Sequence, residues 1–215
     1  MTIKFCIFDV GQVCYPYSLE PLNQLLREQS ADHKTFDKKG GAKSFNYNSF
    51  MKGETDFTAF CKNLCSHCGI VYSKDIEQSV DNAMHQGVGP FYEETLETMS
   101  WLRKEGIEIG LLSNALPNLA DTGQTLAAED KIFVSYELGL LKPDKAIYQS
   151  VLAKLNAKPE EVIFIDDKRE NVEAAKSLGI NGIVFDRNTI SRQIKTLITQ
   201  NWFPETTTST DNHHP

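Results

Sequence analysis

A surplus of basic charge is the first thing this sequence lacks: 22 lysines and arginines stand against 29 aspartates and glutamates, for a formal net charge of -7. Without a broad positive field the chain has nothing to hold a nucleic-acid backbone, so nucleic acid is excluded as a general partner and a small anion needs a local pocket. Long hydrophobic runs are missing too. The apolar stretch from Phe5 to Val10 is interrupted by Asp9, and it is too short for a membrane span and wrongly flanked for a signal peptide. No membrane partner and no secretion are expected. Cysteine is sparse and odd in number: Cys6, Cys14, Cys61, Cys65 and Cys68 show no disulfide-framework spacing. That suits a reducing compartment, and a cytoplasmic location is the expectation. There is no internal repeat, and nothing in the chain speaks to its oligomeric state.

What is present is an ordinary globular composition, 40% hydrophobic and 24% charged over 215 residues. This is enough for one compact core and perhaps one insertion. Short apolar runs bounded by turn residues recur at Ile3 to Val10, Ile107 to Leu112, Lys131 to Val134, Val162 to Ile165 and Gly182 to Phe185. Runs of this kind predict strands of a parallel sheet buried on both faces. Helical stripes separate the later ones: Leu96, Met99 and Leu102; Ile147, Val151, Leu152 and Leu155; Asn171 to Gly179; and Ile190, Ile194, Leu197 and Ile198. Alternating strands and helices predict an α/β fold with a doubly wound, Rossmann-like parallel sheet. Tyr17 to Val88 breaks the alternation. Stripes such as Leu19, Leu22, Leu25 and Leu26, or Phe57, Phe60 and Leu64, predict a helical insert there, with Lys38 to Ser49 as a loop inside it. The expected division is therefore a core of residues 1–16 and 89–203, a helical insert of 17–88, and a threonine-rich flexible tail of 204–215.

In doubly wound sheets ligands bind beyond the carboxyl ends of the strands. Four such ends are rich in polar residues: Asp9-Val10-Gly11-Gln12-Val13, Ser113-Asn114, Lys142-Pro143-Asp144, and Asp166-Asp167 followed by Asn171. In this order and spacing the four segments resemble the motifs of the haloacid dehalogenase (HAD) superfamily over roughly residues 3 to 186, and the insert lies where that family carries its helical cap. The pattern Asp-x-Gly-x-Val, with Met51 to Phe60 and Asn171, is most similar to the bacterial glucose-1-phosphatase-like branch.

The resemblance implies a Mg²⁺-dependent phosphohydrolase acting on a small phosphorylated metabolite. Asp9 would be the nucleophile, attacking phosphorus to give an aspartyl-phosphate that water then cleaves. Lys142 would offset the charge of an anion attacking an anion, where one opposite charge near 4 Å contributes about 4 kcal/mol at an effective dielectric of about 20. Mg²⁺ would be held by Asp9, the backbone carbonyl of Gly11 and Asp167, with Asp166 included in the metal set. Asp166 and Asn171 would also orient Asp167 and the metal's waters. Ser113 and the backbone around Asn114 would hydrogen-bond the moving phosphoryl oxygens.

One position departs from the commonest pattern. Most phosphatases of the family carry a second aspartate two residues after the nucleophile, as general acid and base, and here Gly11 stands there. Three readings follow: a phosphatase whose substrate, such as a sugar 1-phosphate, leaves easily; a metal-free 2-haloacid dehalogenase; or a non-catalytic HAD-like binding module. Asp167 and Asp166 argue against the second, because a dehalogenase has no use for two carboxylates beside its nucleophile. Tyr15 and Tyr17 are candidate pocket-lining aromatics. Cys61, Cys65 and Cys68, with His67 among them, formally match a metal-cluster spacing, but they also continue the helical stripe of Phe57, Phe60 and Leu64 and are read as a thiol cluster of the insert's core.

Overall fold

The computed structural model describes residues 2–119 and 131–202. Five strands, β1 (Phe5–Phe8), β2 (Glu108–Ser113), β3 (Lys131–Val134), β4 (Val162–Asp166) and β5 (Asn181–Val184), form one parallel sheet in the order β3-β2-β1-β4-β5. Phe5 pairs with both Glu108 and Val162, and Phe8 with both Leu111 and Ile165. The strand that opens the chain is thus the centre of the sheet, and the expected Rossmann-like α/β fold is observed.

Side chains of successive residues leave a strand on opposite faces, which explains why β1 is apolar at every position. Cys6 and Phe8 join Leu111, Ile163 and Ile165 beneath α6 (Glu93–Lys104) and α10 (Ile190–Trp202). Phe5 and Ile7 join Leu112 and Phe164 beneath α8 (Lys145–Leu155) and α9 (Arg169–Lys176). The short helix α7 (Ser135–Leu138) follows β3 directly.

Between β1 and α6 the described chain is helical: α1 (Glu20–Gln29), α2 (His33–Lys39), α3 (Asn48–Met51), α4 (Phe57–Cys68) and α5 (Lys74–Gln86). Local signals set these ends. Asp56 and Ser73 accept hydrogen bonds from the amides of Ala59 and Ile76 at the starts of α4 and α5, and Gly69 ends α4 with φ 70°. The helices gather their own core from Leu22, Leu26, Phe60, Leu64, Val80 and Met84, and Leu116 from beyond β2 enters the same cluster. Cys61, Cys65 and Cys68 are buried in it as free thiols.

Several expectations are corrected. Lys38 and Lys39 belong to α2, and Gly41–Ser44 forms a short 3₁₀ turn, so the stretch expected as loop is partly helical. Leu19 and Leu25 are only partly buried, while Leu22 and Leu26 carry the α1 face. On α6 the face is rotated from the expected stripe: Leu96 is 40% exposed and Thr95 and Thr98 are buried in its stead. Their hydroxyls make this affordable by donating to the carbonyls of Val13 (2.7 Å) and Glu94 (2.6 Å). The expected tail of 204–215 lies outside the described residues.

The insert leaves and rejoins the sheet through a narrow neck. Tyr17 and Val88 form an antiparallel bridge, with the amides of Ser18 and Gly89 donating to the carbonyls of Gly87 and Pro16 at 2.9 Å each. The neck is tight enough to demand glycine: a β carbon on Gly87 would lie 2.1 Å from the Ser18 carbonyl oxygen. Gly87→Ala is therefore expected to lower stability by about 1–3 kcal/mol, the usual cost of overpacking. Urea denaturation measures this, and an unchanged midpoint would show that the neck yields without cost.

Candidate active site

The sheet order reverses at β1 and β4, and it is there, beyond their carboxyl ends, that an open α/β sheet leaves a crevice. Asp9 and Asp166 flank that crevice. The Asp9 amide donates to the Ile165 carbonyl at 2.8 Å, continuing the β1–β4 ladder by one residue. The chain then curls tightly. Gln12 takes a left-handed φ of 65°, the Cys14 amide returns to the Val10 carbonyl at 2.8 Å, and the Cys14 thiol donates to the Asp9 carbonyl at 3.3 Å.

Lys142 enters from the loop ahead of α8. Its backbone is clamped by Asn114, whose side chain accepts from the Lys142 amide and donates to the Lys142 carbonyl, both at 2.9 Å. The ammonium is buried and donates to Asp9 Oδ1 at 2.7 Å, Asp166 Oδ2 at 2.7 Å and the Leu112 carbonyl at 2.9 Å. An ammonium has three N–H groups, so each finds an acceptor. Asp166 is itself enclosed: Asn171 Nδ2 lies 2.9 Å from both of its oxygens, and the Lys168 amide donates to Oδ1 at 2.9 Å. Tyr148 fixes this corner by donating to the Asn171 carbonyl at 2.9 Å.

Asp167 is half-buried beside them. One oxygen from each of Asp9, Asp166 and Asp167 can be chosen so that all three lie within 4.8 Å of one another. Three carboxylates sharing one ammonium leave negative charge uncompensated. Burial pushes the Asp9 carboxyl up to about 6; Lys142 pulls it down and Asp166 adds to the rise. Burial and then the charge of Asp166 raise Asp167. Burial opposes the charged form of Lys142, yet Asp9 and Asp166 outweigh it and hold the ammonium above its ordinary range. An all-oxygen donor set with surplus negative charge fits a hard divalent cation such as Mg²⁺, and among the described residues it is the one cluster of its kind. The insert's cysteines form no such group.

Ser113 ends β2, half-buried, and with Gly11 and Asn114 it borders an apolar cavity walled by Tyr15 and Tyr17 among others. Gly11 does not have a positive φ, and a β carbon placed there would meet nothing closer than Tyr17 Cβ at 4.0 Å.

The family model for haloacid dehalogenase-like hydrolases matches residues 4–179. The chain belongs to that family. As a HAD-like hydrolase it is 25% identical over 210 residues to a D-ribitol-5-phosphate phosphatase from Bacteroides thetaiotaomicron, covering 91% of this chain and 98% of that protein. It is 26% identical over 171 residues to the bifunctional epoxide hydrolase 2 of Rattus norvegicus, covering 72% of this chain but 31% of that one. Several curated relatives are much longer, and the HAD-like chain spans 12% to 31% of their length. Its fold matches a HAD family enzyme from Bacteroides thetaiotaomicron solved with magnesium and inorganic phosphate, at a TM-score of 0.67 and 21% identity over 86% of this chain and 95% of that one.

The structure thus brings Asp9, Lys142, Asp166, Asp167 and Asn171 together, with Ser113, Asn114 and Gly11 at the rim. Sequence reasoning missed the Leu112 carbonyl, the Lys168 amide, the Cys14 thiol and Tyr148. The first two are backbone groups that spacing cannot reveal, and Tyr148 sits inside an apolar helical stripe with nothing to mark its hydroxyl. The dependence of the site on Lys142 is testable. Lys142→Met leaves buried like charges unpaired and is expected to cost about 3–5 kcal/mol. Adding Asp166→Asn should recover part of that loss in urea denaturation, and a loss under about 1 kcal/mol for the single variant would overturn the argument.

Proposed function

We propose that this HAD-like hydrolase is a Mg²⁺-dependent phosphohydrolase of a small phosphate monoester, working through an aspartyl-phosphate on Asp9. The observation that carries this reading is the buried Lys142 ammonium 2.7 Å from Asp9 Oδ1. With that oxygen held by Lys142, Oδ2 is the atom left to attack phosphorus. Two further observations support it: a phosphatase among the relatives spans nearly the whole chain, and a structural neighbour was solved with magnesium and inorganic phosphate. In this reading residues 1–16 and 89–203 form the catalytic core and 17–88 the cap.

Asp9, Asp167 and the Gly11 carbonyl would hold Mg²⁺, which when bound supplies Lewis-acid charge to the phosphate oxygens. Asp166 belongs to the same carboxylate cluster, but Lys142, Asn171 and the Lys168 amide already engage both of its oxygens. We assign it the positioning of Lys142 rather than the main share of metal binding. The Ser113 hydroxyl and the backbone at Asn114 receive the phosphoryl oxygens, while the Asn114 side chain keeps the Lys142 backbone in place. Once the ester oxygen has left, water attacks phosphorus and restores the Asp9 carboxylate.

Chelation by EDTA is expected to abolish hydrolysis of p-nitrophenyl phosphate and Mg²⁺ to restore it, with Asp167→Ala raising the Mg²⁺ requirement more than Asp166→Ala. Asp9→Asn should leave no more than a few per cent of turnover. Because the Asp9 carboxyl is pushed up to about 6, its charge works against the folded state. The contribution of this group to stability falls as pH rises from near 4 through 6, so Asp9→Asn should be at least as stable as the parent above pH 6. Turnover of 2-chloropropionate in chelator would support the dehalogenase reading, and inertness toward both substrate classes the non-catalytic one.

Gly11 generates a sharper test. General acid help is worth about 10²–10⁴-fold, most of it on poor leaving groups, and the backbone at Gly11 has room for a side chain. Gly11→Asp is expected to raise turnover of glycerol phosphate far more than that of p-nitrophenyl phosphate. Equal leaving-group sensitivity in the two proteins would mean that another residue already serves as the acid.

A further inference from the structure

One side chain joins the element that follows Lys142 to the element that clasps Asp166. Tyr148 lies one turn into α8, buried within an apolar stripe, and its hydroxyl donates to the Asn171 carbonyl at 2.9 Å. In an α-helix that carbonyl already has the amide four residues on as its donor, so the bond does not rescue a stranded acceptor. It ties the first turn of α9 to α8. A phenylalanine would fill the same stripe and leave no hydroxyl to satisfy, so packing alone does not call for tyrosine here. The Tyr148 ring meets Phe164 edge-on, with centroids 5.3 Å apart and planes at 74°. The Phe164 ring centre is in turn 5.5 Å from the Lys142 ammonium, within cation–π range. Tyr148 therefore touches both supports of the buried ion pair: the ring beside Lys142, and the residue whose side chain holds both oxygens of Asp166 at 2.9 Å.

We propose that Tyr148 is a positioning residue: through the Asn171 backbone and the Phe164 ring it fixes the separation of Lys142 and Asp166, and so sets how much of the ammonium's charge is left for Asp9 and the phosphoryl group. The inference rests on the phosphohydrolase reading above and deepens it. Lys142 is 2.7 Å from Asp9 and from Asp166 alike, so the two carboxylates compete for it. At that range a shift of about half an ångström changes the attraction by roughly a sixth. A loosened Asp166 therefore changes the field at the nucleophile without any change in the groups that meet the substrate. Tyr148 gives its one proton to Asn171 and acts on the reacting atoms only through these neighbours.

Tyr148→Phe keeps the ring and removes the hydroxyl arm. On the full chain with Mg²⁺ and p-nitrophenyl phosphate, kcat is expected to fall about fivefold while KM changes by less than about twofold, because the loss is felt in the transition state. In an Asn171→Ala background, where the clasp on Asp166 is already gone, the same substitution should change kcat by less than about twofold. An unchanged kcat in the single variant, or an equal fall in both backgrounds, overturns the assignment. If Asn171→Ala does not fold, the single variant decides. A second readout needs no turnover: hydrogen exchange of the Lys142 ammonium, followed by ¹⁵N NMR. It should quicken about fivefold in Tyr148→Phe beyond any change shared by the β1 amides, which report global stability. Exchange that merely follows those amides also overturns the proposal. Failure of the parent to hydrolyse p-nitrophenyl phosphate would count against the phosphohydrolase reading instead, and ammonium exchange would then decide the role of Tyr148 by itself.

Discussion

Everything at the carboxyl edge of the sheet depends on one buried ammonium. Taking a lysine out of water costs several kcal/mol unless acceptors replace the lost hydration, and here they come from three strand ends: Asp9 after β1, the Leu112 carbonyl in β2 and Asp166 at the end of β4. The ion that balances Asp9 is therefore also the pin that ties together the ends of three adjacent strands. Asn114 sets the height of the pin through the Lys142 backbone, and Asn171 and Tyr148 brace its far partner. The balance is deliberately incomplete, because one positive charge among three carboxylates leaves a field that draws in a cation.

The burial of the sheet also decides how much of this arrangement is legible in the sequence. Strands buried on both faces must be apolar at every residue, so an acidic or basic residue at a strand end stands out. Asp9 and Asp166-Asp167 close apolar runs and are visible for this reason, as is the parallel sheet, whereas Lys142 lies in the loop ahead of α8 and is singled out only by the resemblance to the HAD motifs. What stayed hidden depends on tertiary context. Thr95 and Thr98 could not be preferred over Leu96 as the buried face of α6 without knowing that the Val13 carbonyl waits for a hydroxyl. The helicity of Lys38 and Lys39 was masked by the two glycines that follow them. The division of labour between Asp166 and Asp167 rests on which oxygens are already engaged, and adjacent identical residues carry no such information.

Gly11 links the chemistry to the cavity. An aspartate there would stand at the mouth of an apolar pocket and would have to be desolvated by whatever occupied it. With glycine the wall stays neutral there, and under the proposed phosphohydrolase reading proton supply to the departing oxygen would fall to the substrate or to water.

The neck at Tyr17 and Val88 has a consequence of another kind. Because the chain enters and leaves the insert at hydrogen-bonded neighbours, the ends of the insert coincide whatever lies between them. Loop-closure entropy grows only slowly with length, so the sheet is nearly indifferent to whether some seventy residues or a quite different number are threaded there. Recombination could exchange the whole helical segment without altering strand register or the lysine's three acceptors. The neck is not the whole attachment: the Ser135 hydroxyl donates to the Met51 carbonyl at 2.6 Å and Leu116 enters the insert's core, so an exchanged segment would have to meet the sheet side at those contacts as well as at the two glycines of the neck.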